Sequence, residues 1–345
     1  MQHKILFSHP EPEPIPGAIW PVFLPFAGCP YRCVYCAQDK QTGKAEAELA
    51  GALHSLKQDL EEALSEGRGP YELAFYGGTF TAMPAPWPEA FLAVAEHYRN
   101  RGLISHVRCS TRPDCVDEDS LAQLRTQGLD MVELGIQSFD DAVLAQSGRG
   151  YSGDRAMQAC SQVRSAGLRL GIQLLPGLPG DRPGVFLHDA QVSASLKPDV
   201  ARVYPCLVIR DTPLATLWEH GEFHPWHLER AKEELAAALL LFWEKGVRVI
   251  RLGLPPEGSL AEHILAGPWH PALGQSARGR ALYELIRIQI NELGSHSSLC
   301  LDVPRRYQGE LMGHANELAS RYIDLGLSKK NIRYATIRDF CLSPS

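Results

Sequence analysis

Residues 27–38 read AGCPYRCVYCAQ, with cysteines at 29, 33 and 36 and the next one along the chain at 109. Thiolates are soft ligands, and C-x3-C-x2-C spacing lets one short loop wrap a metal or cluster with little added ordering cost. Three thiolates on a four-iron cluster leave one iron open to a small molecule, as catalytic metal sites keep an open position. A structural zinc site asks for a fourth ligand, which AQDKQTGK (37–44) does not supply, so His3 or His9 would have to reach back. Three unligated buried thiols are the remaining reading, disfavoured on a loop flanked by Pro30, Arg32 and Gln38.

The loop follows the apolar run VFLPF (22–26), and what lies beyond it decides the fold. LAFY (73–76), HVRCS (106–110), MVELG (131–135), LRLGIQLL (168–175), VARVYPCLV (200–208) and VRVIRLG (247–253) suit buried strands. Helical periodicity fills 45–66, 87–100, 118–127, 139–147, 152–166, 183–195 and 228–245. Such alternation builds a parallel sheet from βα units. A doubly wound nucleotide-binding sheet usually carries a Gly-rich turn after its first strand. Here that strand leads into cysteines, and polar residues recur at nearly every later strand end, as at a barrel mouth. The expected fold is therefore α/β, a partial (βα)6-type barrel of six or seven parallel strands over 20–255. A Pro-rich extended lead-in (1–19) precedes it. A small C-terminal α-rich extension (256–345) follows as an accessory cap, with helices at 278–293 and 309–325 and then NIRYATI.

The 345 residues are 45% apolar and 21% charged, with nine cysteines and no apolar run of membrane-spanning length. The N-terminus lacks the pattern of a secretory signal, so a cytoplasmic protein without a membrane partner is expected. A formal net charge of −6 argues against a dominant phosphate-binding footprint without excluding a local basic face.

FYGGTFT (75–81) directly follows the second predicted strand. Adjacent glycines there let backbone approach a ligand closely, and their amides can pair with polar ligand atoms. CSTRPD (109–114), ELGIQSFDDAVLAQSGRGY (133–151), GIQLLPGLPGD (171–181) and YPCLVIRDTPL (204–214) end the next four strands. Together with C-x3-C-x2-C and the aromatic Tyr35 before its last cysteine, these motifs resemble the radical S-adenosylmethionine (SAM) superfamily. They look closest to its subgroup of the Elongator catalytic subunit and the oxygen-independent coproporphyrinogen oxidases. The resemblance spans roughly residues 20–275. It implies that Cys29, Cys33 and Cys36 hold a [4Fe–4S] cluster and that SAM chelates the fourth iron. Reductive cleavage of SAM to a 5′-deoxyadenosyl radical then follows. It also implies SAM contacts at Tyr35, Gly77, Gly78, Thr79, Ser110, Gln137, Arg149 and Gln173. The chemistry agrees: Arg149 can grip a carboxylate in bidentate fashion, while Gln137 and Gln173 can bond ribose hydroxyls.

Two departures stand beside the resemblance. The Elongator subunit's cysteine loop carries one more residue between its first two cysteines, and no acyltransferase domain is expected after residue 275. The expectation is a short stand-alone form that acts on tRNA or another RNA. Radical oxidation of a small, porphyrinogen-like molecule and a non-catalytic metal-binding interaction module stay open as alternatives. An electron donor such as a flavodoxin or ferredoxin is the implied partner; oligomeric state and the catalytic residues for the second substrate are not legible. Arg112, Arg210, Trp269 and His270 either line a substrate or are structural, and HPWH (224–227) reads as a surface turn.

Overall fold

The computed structural model describes residues 4–13, 17–42, 48–254, 260–294 and 298–344. Seven parallel strands form one sheet in sequence order: β1 Ala18–Leu24, β2 Tyr71–Gly77, β3 Ile104–Thr111, β4 Met131–Gln137, β5 Arg169–Leu174, β6 Val200–Val203 and β7 Arg248–Leu252. Neighbours pair in chain order and β7 does not return to β1, so the sheet curls into a half-barrel. Helices Leu49–Ser65, Trp87–Asn100, Glu118–Thr126, Gly153–Ser165, Val185–Ser195 and Leu228–Glu244 connect the strands. Two of them begin on side-chain caps, Asp117 accepting from the Ser120 amide and Ser152 from Arg155, and Asp140 caps the short helix Asp141–Gln146 by accepting from Val143.

The outward strand residues and the inner helix faces make one apolar core, with Leu73, Val107, Val132, Leu134 and Ile172 at 1% exposure or less. The concave face is polar instead. Glu133 is buried there between Arg202 (2.6 Å) and Arg108 (3.2 Å), and Arg108 also meets Glu72 at 2.8 Å. Gly171 makes room for this carboxylate, because a Cβ there would lie 2.7 Å from Glu133 Cγ. A buried carboxylate needs such pairing to stay charged.

The expected strands and helices occupy their places to within a few residues, and residues 45–47 of the first helix lie outside the described residues. The run 200–208 divides into β6 and a short strand Val208–Ile209, which pairs antiparallel with Ile264–Ala266. Beyond the barrel, the long helix Leu273–Leu293 packs on Leu228–Glu244. The single helix expected over 309–325 is instead broken into Gln308–Leu311, His314–Asn316 and Ala319–Asp324. Positive φ at Gly313 (67°) and Ala315 (50°) turns the chain out of helical geometry between them. The accessory region also carries a four-stranded sheet in the order Ile5–Phe7, Phe340–Pro344, Leu299–Pro304 and Ile332–Ala335. Within the lead-in, Ile5–Phe7 adds a strand to this sheet, and Phe7 stacks on Phe340 at 5.0 Å. Among the described residues no helix is long and apolar enough to cross a membrane.

Candidate functional site

The cysteine loop leaves the C-terminal end of β1 and is folded by close backbone contact with the end of β2. Gly28 (φ +72°) lies against Thr79, where a Cβ would come within 2.3 Å of the Thr79 carbonyl oxygen. A Cβ on Gly78 would lie 2.0 Å from the Ala27 carbonyl oxygen. Only glycine fits either position. The Gly78 amide donates to Leu24 O (2.9 Å) and the Thr79 amide to Ala27 O (2.6 Å). These contacts seat the cysteine loop against the end of β2.

Further contacts fix the loop's course. Phe26 N donates to Gln38 Oε1 at 2.6 Å, tying the two ends together. Val34 N donates to Ser147 O (3.3 Å), and Leu214 N donates to Val34 O (2.9 Å), pinning its middle to the exits of β4 and β6. Cys29 Sγ lies 3.3 Å from Thr79 Oγ1. Burial pushes the Cys36 thiol up to about 12, with the nearby Cys33 and Cys29 adding to the shift. Burial likewise raises Cys29. Without a positive partner, burial thus favours the neutral thiol at Cys29 and Cys36.

Two buried guanidiniums face that loop. Arg149 Nη1 donates to Cys33 Sγ at 3.1 Å and to Tyr35 Oη at 3.3 Å, and its Nε donates to Tyr151 Oη at 2.9 Å. Its Nη2 is held by Gly135 O. Arg112 Nη1 lies 3.5 Å from Cys33 Sγ, and its Nη2 donates to Asp114 (2.9 Å) and to the Arg149 carbonyl. All three guanidinium nitrogens of Arg149 thus have protein partners at the rim.

Gln137 ends β4 with a left-handed backbone, φ 71°, unusual for a residue with a Cβ. Its side chain is buried, and its Oε1 has no hydrogen-bond partner among the described residues. A strained residue presenting an unsatisfied acceptor is the signature of a position completed by a ligand. Asp189 holds this exit loop, accepting from Ser138 Oγ (2.6 Å) and Phe139 N (2.8 Å). Ser110 lines a small cavity with Gly77, Gly78 and Thr79. Gln173 is half-buried on the concave face, in register with Gly135 and Arg202. All the expected residues thus gather at one end of the half-barrel.

The sequence reading missed Tyr31 and Tyr151 and left Arg112 undecided. Tyr31 lies under Arg112 (4.4 Å from ring centroid to guanidinium carbon) and donates to the Arg149 carbonyl. The signal was present in TRPD and GRGY, whose arginines close on one cysteine from two strand exits. Trp269 packs with Ala37, Leu207, Ile209 and Leu260, and His270 Nδ1 accepts from Ala272 N (3.0 Å); both have a structural explanation. His9, a candidate zinc ligand, is occupied in the accessory region by Glu310 (2.9 Å) and by stacking on Tyr307 (4.5 Å). His3 lies outside the described residues. Among the described residues, no group of three His, Cys, Asp or Glu side chains is arranged to hold a single metal ion. A cluster asks each iron for only one thiolate, so it makes no such demand.

A family model of the Radical SAM superfamily matches residues 23–189, and one of the Radical_SAM C-terminal domain matches residues 198–282. The chain belongs to the radical SAM superfamily. It is similar to the tRNA uridine(34) acetyltransferase of Methanocaldococcus infernus, with 26% identity over 267 residues, covering 65% of this chain and 50% of that protein. Mus musculus Elongator complex protein 3 is 27% identical over 215 residues, 56% of this chain and 39% of that one. The radical SAM chain therefore spans about half the length, or less, of these curated relatives. The solved structure of Methanocaldococcus infernus Elp3 with an N-terminal deletion shares the fold. Its TM-score is 0.57 at 22% identity, covering 79% of this chain and 63% of that one.

Proposed function

We propose that Cys29, Cys33 and Cys36 hold a [4Fe–4S] cluster, that SAM binds over it, and that the second substrate is an RNA, most specifically a tRNA. The observation that carries the cluster is the pair of buried guanidiniums, Arg112 and Arg149, aimed at the sulfur of Cys33. Guanidiniums sealed from water fit a thiolate-ligated group of net negative charge and would be costly against neutral thiols. When bound, such a cluster supplies one electron to SAM, whose cleavage gives methionine and a 5′-deoxyadenosyl radical.

This chain's own residues do the positioning. The Gly28–Thr79 and Gly78–Ala27 contacts and the Gln38 clip set where the three sulfurs stand. Arg149, fixed by Tyr151 and Gly135 O, orients toward Cys33 without freedom to swing. The orphaned Gln137 Oε1 awaits a donor, for which a ribose hydroxyl or ammonium of SAM serves. An ammonium only donates, so at this end of β2 carbonyl and hydroxyl oxygens, and not the Gly78 and Thr79 amides, would receive SAM's ammonium group.

Support for an RNA substrate comes from relatives named tRNA uridine(34) acetyltransferase, whose similarity covers 65% of this chain. Reduced, reconstituted protein given SAM should release 5′-deoxyadenosine. Profiling modified nucleosides in a deletion strain should reveal a missing tRNA modification. An intact profile with 5′-deoxyadenosine still released would redirect the second substrate to a small molecule.

A further inference from the structure

The accessory sheet lies beyond the residues matched by either family model, and its charge is sorted in a way that the whole chain's is not. Residues 299–344 carry seven Lys or Arg against five Asp or Glu, in a chain of net charge −6. Two of those carboxylates are drawn inward. Glu310 meets His9 at 2.9 Å, and Glu317 meets Lys232 at 3.0 Å and Arg280 at 3.1 Å. Of the cations, Arg305, Lys329, Lys330 and Arg338 are exposed, with no ion-pair partner among the described residues.

Topology divides these cations between two edges. Leu299–Pro304 and Ile332–Ala335 run parallel, with Pro304 opposite Ala335. The residues that follow, Arg305 and Arg306 on one strand and Arg338 on the other, therefore emerge from the same edge. Lys329 and Lys330 precede Ile332 and emerge from the opposite one.

The arginine edge is also the one beside the barrel mouth. Helix Leu273–Leu293 starts at the C-terminal end of β7, where a Cβ on Gly253 would meet Leu273 at 3.2 Å. The segment after Arg305 and Arg306 returns to that same helix end, with Gln275 Nε2 donating to Gly309 O at 2.5 Å. Arg251, opposite Arg202 in the β6–β7 register, adds an exposed cation near the C-terminal end of β7, the end from which this helix starts. Arg306 lies on the Tyr307 ring (4.9 Å) and shares Glu13 at 3.3 Å, a loose pair exposed on both sides. Ile337, 41% exposed, sits beside Arg338 and offers apolar contact to a sugar.

We infer that the Arg305–Arg306–Arg338 edge of the accessory sheet is a docking surface for the sugar–phosphate backbone of the RNA whose target nucleotide enters the barrel mouth. The inference rests on the RNA reading above. Phosphates favour exposed cations that shed only water and counterions, and several spaced guanidiniums track a backbone without reading its sequence.

The test uses the reconstituted protein and unfractionated tRNA, with binding followed across 50–200 mM salt, a range in which phosphate contacts should be visible. Arg305→Gln/Arg338→Gln should weaken binding roughly tenfold and lower the slope of log affinity against log salt by about two, one per lost phosphate contact. Arg305→Lys/Arg338→Lys should restore most of it. Lys329→Gln/Lys330→Gln, on the other edge, should leave both quantities as in the wild type. SAM cleavage without RNA should be unchanged in all three. Equal losses from both edges, or none from the arginine edge while the wild type binds tRNA, would overturn this inference alone. A wild type that releases 5′-deoxyadenosine but does not bind tRNA would overturn the RNA reading and this inference with it.

Discussion

Two regions of the chain use arginine in opposite ways. At the barrel mouth, Arg112 and Arg149 are only 4% and 5% exposed and converge on a single sulfur atom, Cys33 Sγ. On the accessory sheet, Arg305 and Arg338 stand in solvent at the end of two parallel strands. A charge sealed from water acts strongly at one point and is little affected by salt. A charge in water acts weakly and is screened, so it is useful only in numbers and against a partner with many charges. The first arrangement suits a fixed anionic group, and the second suits a polyanion that arrives and leaves.

That contrast can be broken at the mouth first, where the largest effect is expected. Cys33→Ala should lose the bound iron and all release of 5′-deoxyadenosine, whereas Cys206→Ala, in the apolar packing beneath the site, should keep both. Iron analysis of the two variants would detect a reversal of that order, which would place the ligands elsewhere.

Arg149→Lys tests whether a buried positive charge suffices or the planar fork is needed. Lysine cannot serve Cys33, Tyr151 and Gly135 O together. Losing such a buried contact costs about 3 kcal/mol, near a hundredfold, and the rate of 5′-deoxyadenosine release should fall by roughly that factor. A rate within twofold of the wild type would make the Cys33 contact incidental. Adding salt should barely affect the wild-type rate without RNA, while it erodes tRNA binding at the accessory edge.

The smallest effect concerns Asp189, which holds the exit loop bearing Gln137. Burial pushes its carboxyl up to about 6, above the usual carboxylate value near 4. The folded protein therefore holds this proton more tightly than the unfolded chain. The contribution is fully present below about pH 4 and is lost as pH rises toward 6, at up to about 1.4 kcal/mol per unit. Asp189→Asn should remove that gradient, so that denaturation at pH 7 shows the variant gaining on the wild type relative to pH 4. An unchanged difference between the two pH values would mean that Asp189 does not titrate in this window.

The barrel was legible because its signals are local. Each strand is a short apolar run, each helix has its own period, and the polar motifs fall at strand ends, so Cys29, Gly77, Ser110, Gln137 and Gln173 were brought to one rim by topology alone. The close backbone contacts of Gly28 with Thr79 and of Gly78 with Ala27 were not legible, since they depend on how the folded loop lies against the end of β2. Arg149 was found, but its engagement by Tyr151 and Gly135 O depends on side-chain geometry that spacing does not encode. The accessory sheet escaped because it joins Ile5–Phe7 to Phe340–Pro344 across almost the whole chain. Strands of three to six residues carry too little periodicity to announce such a pairing.

Metal analysis after anaerobic reconstitution with iron and sulfide tests the central claim most directly. The account predicts a brown protein with about four irons per chain, as three thiolates on a cubane cluster require. A colourless protein carrying one zinc per chain would contradict it.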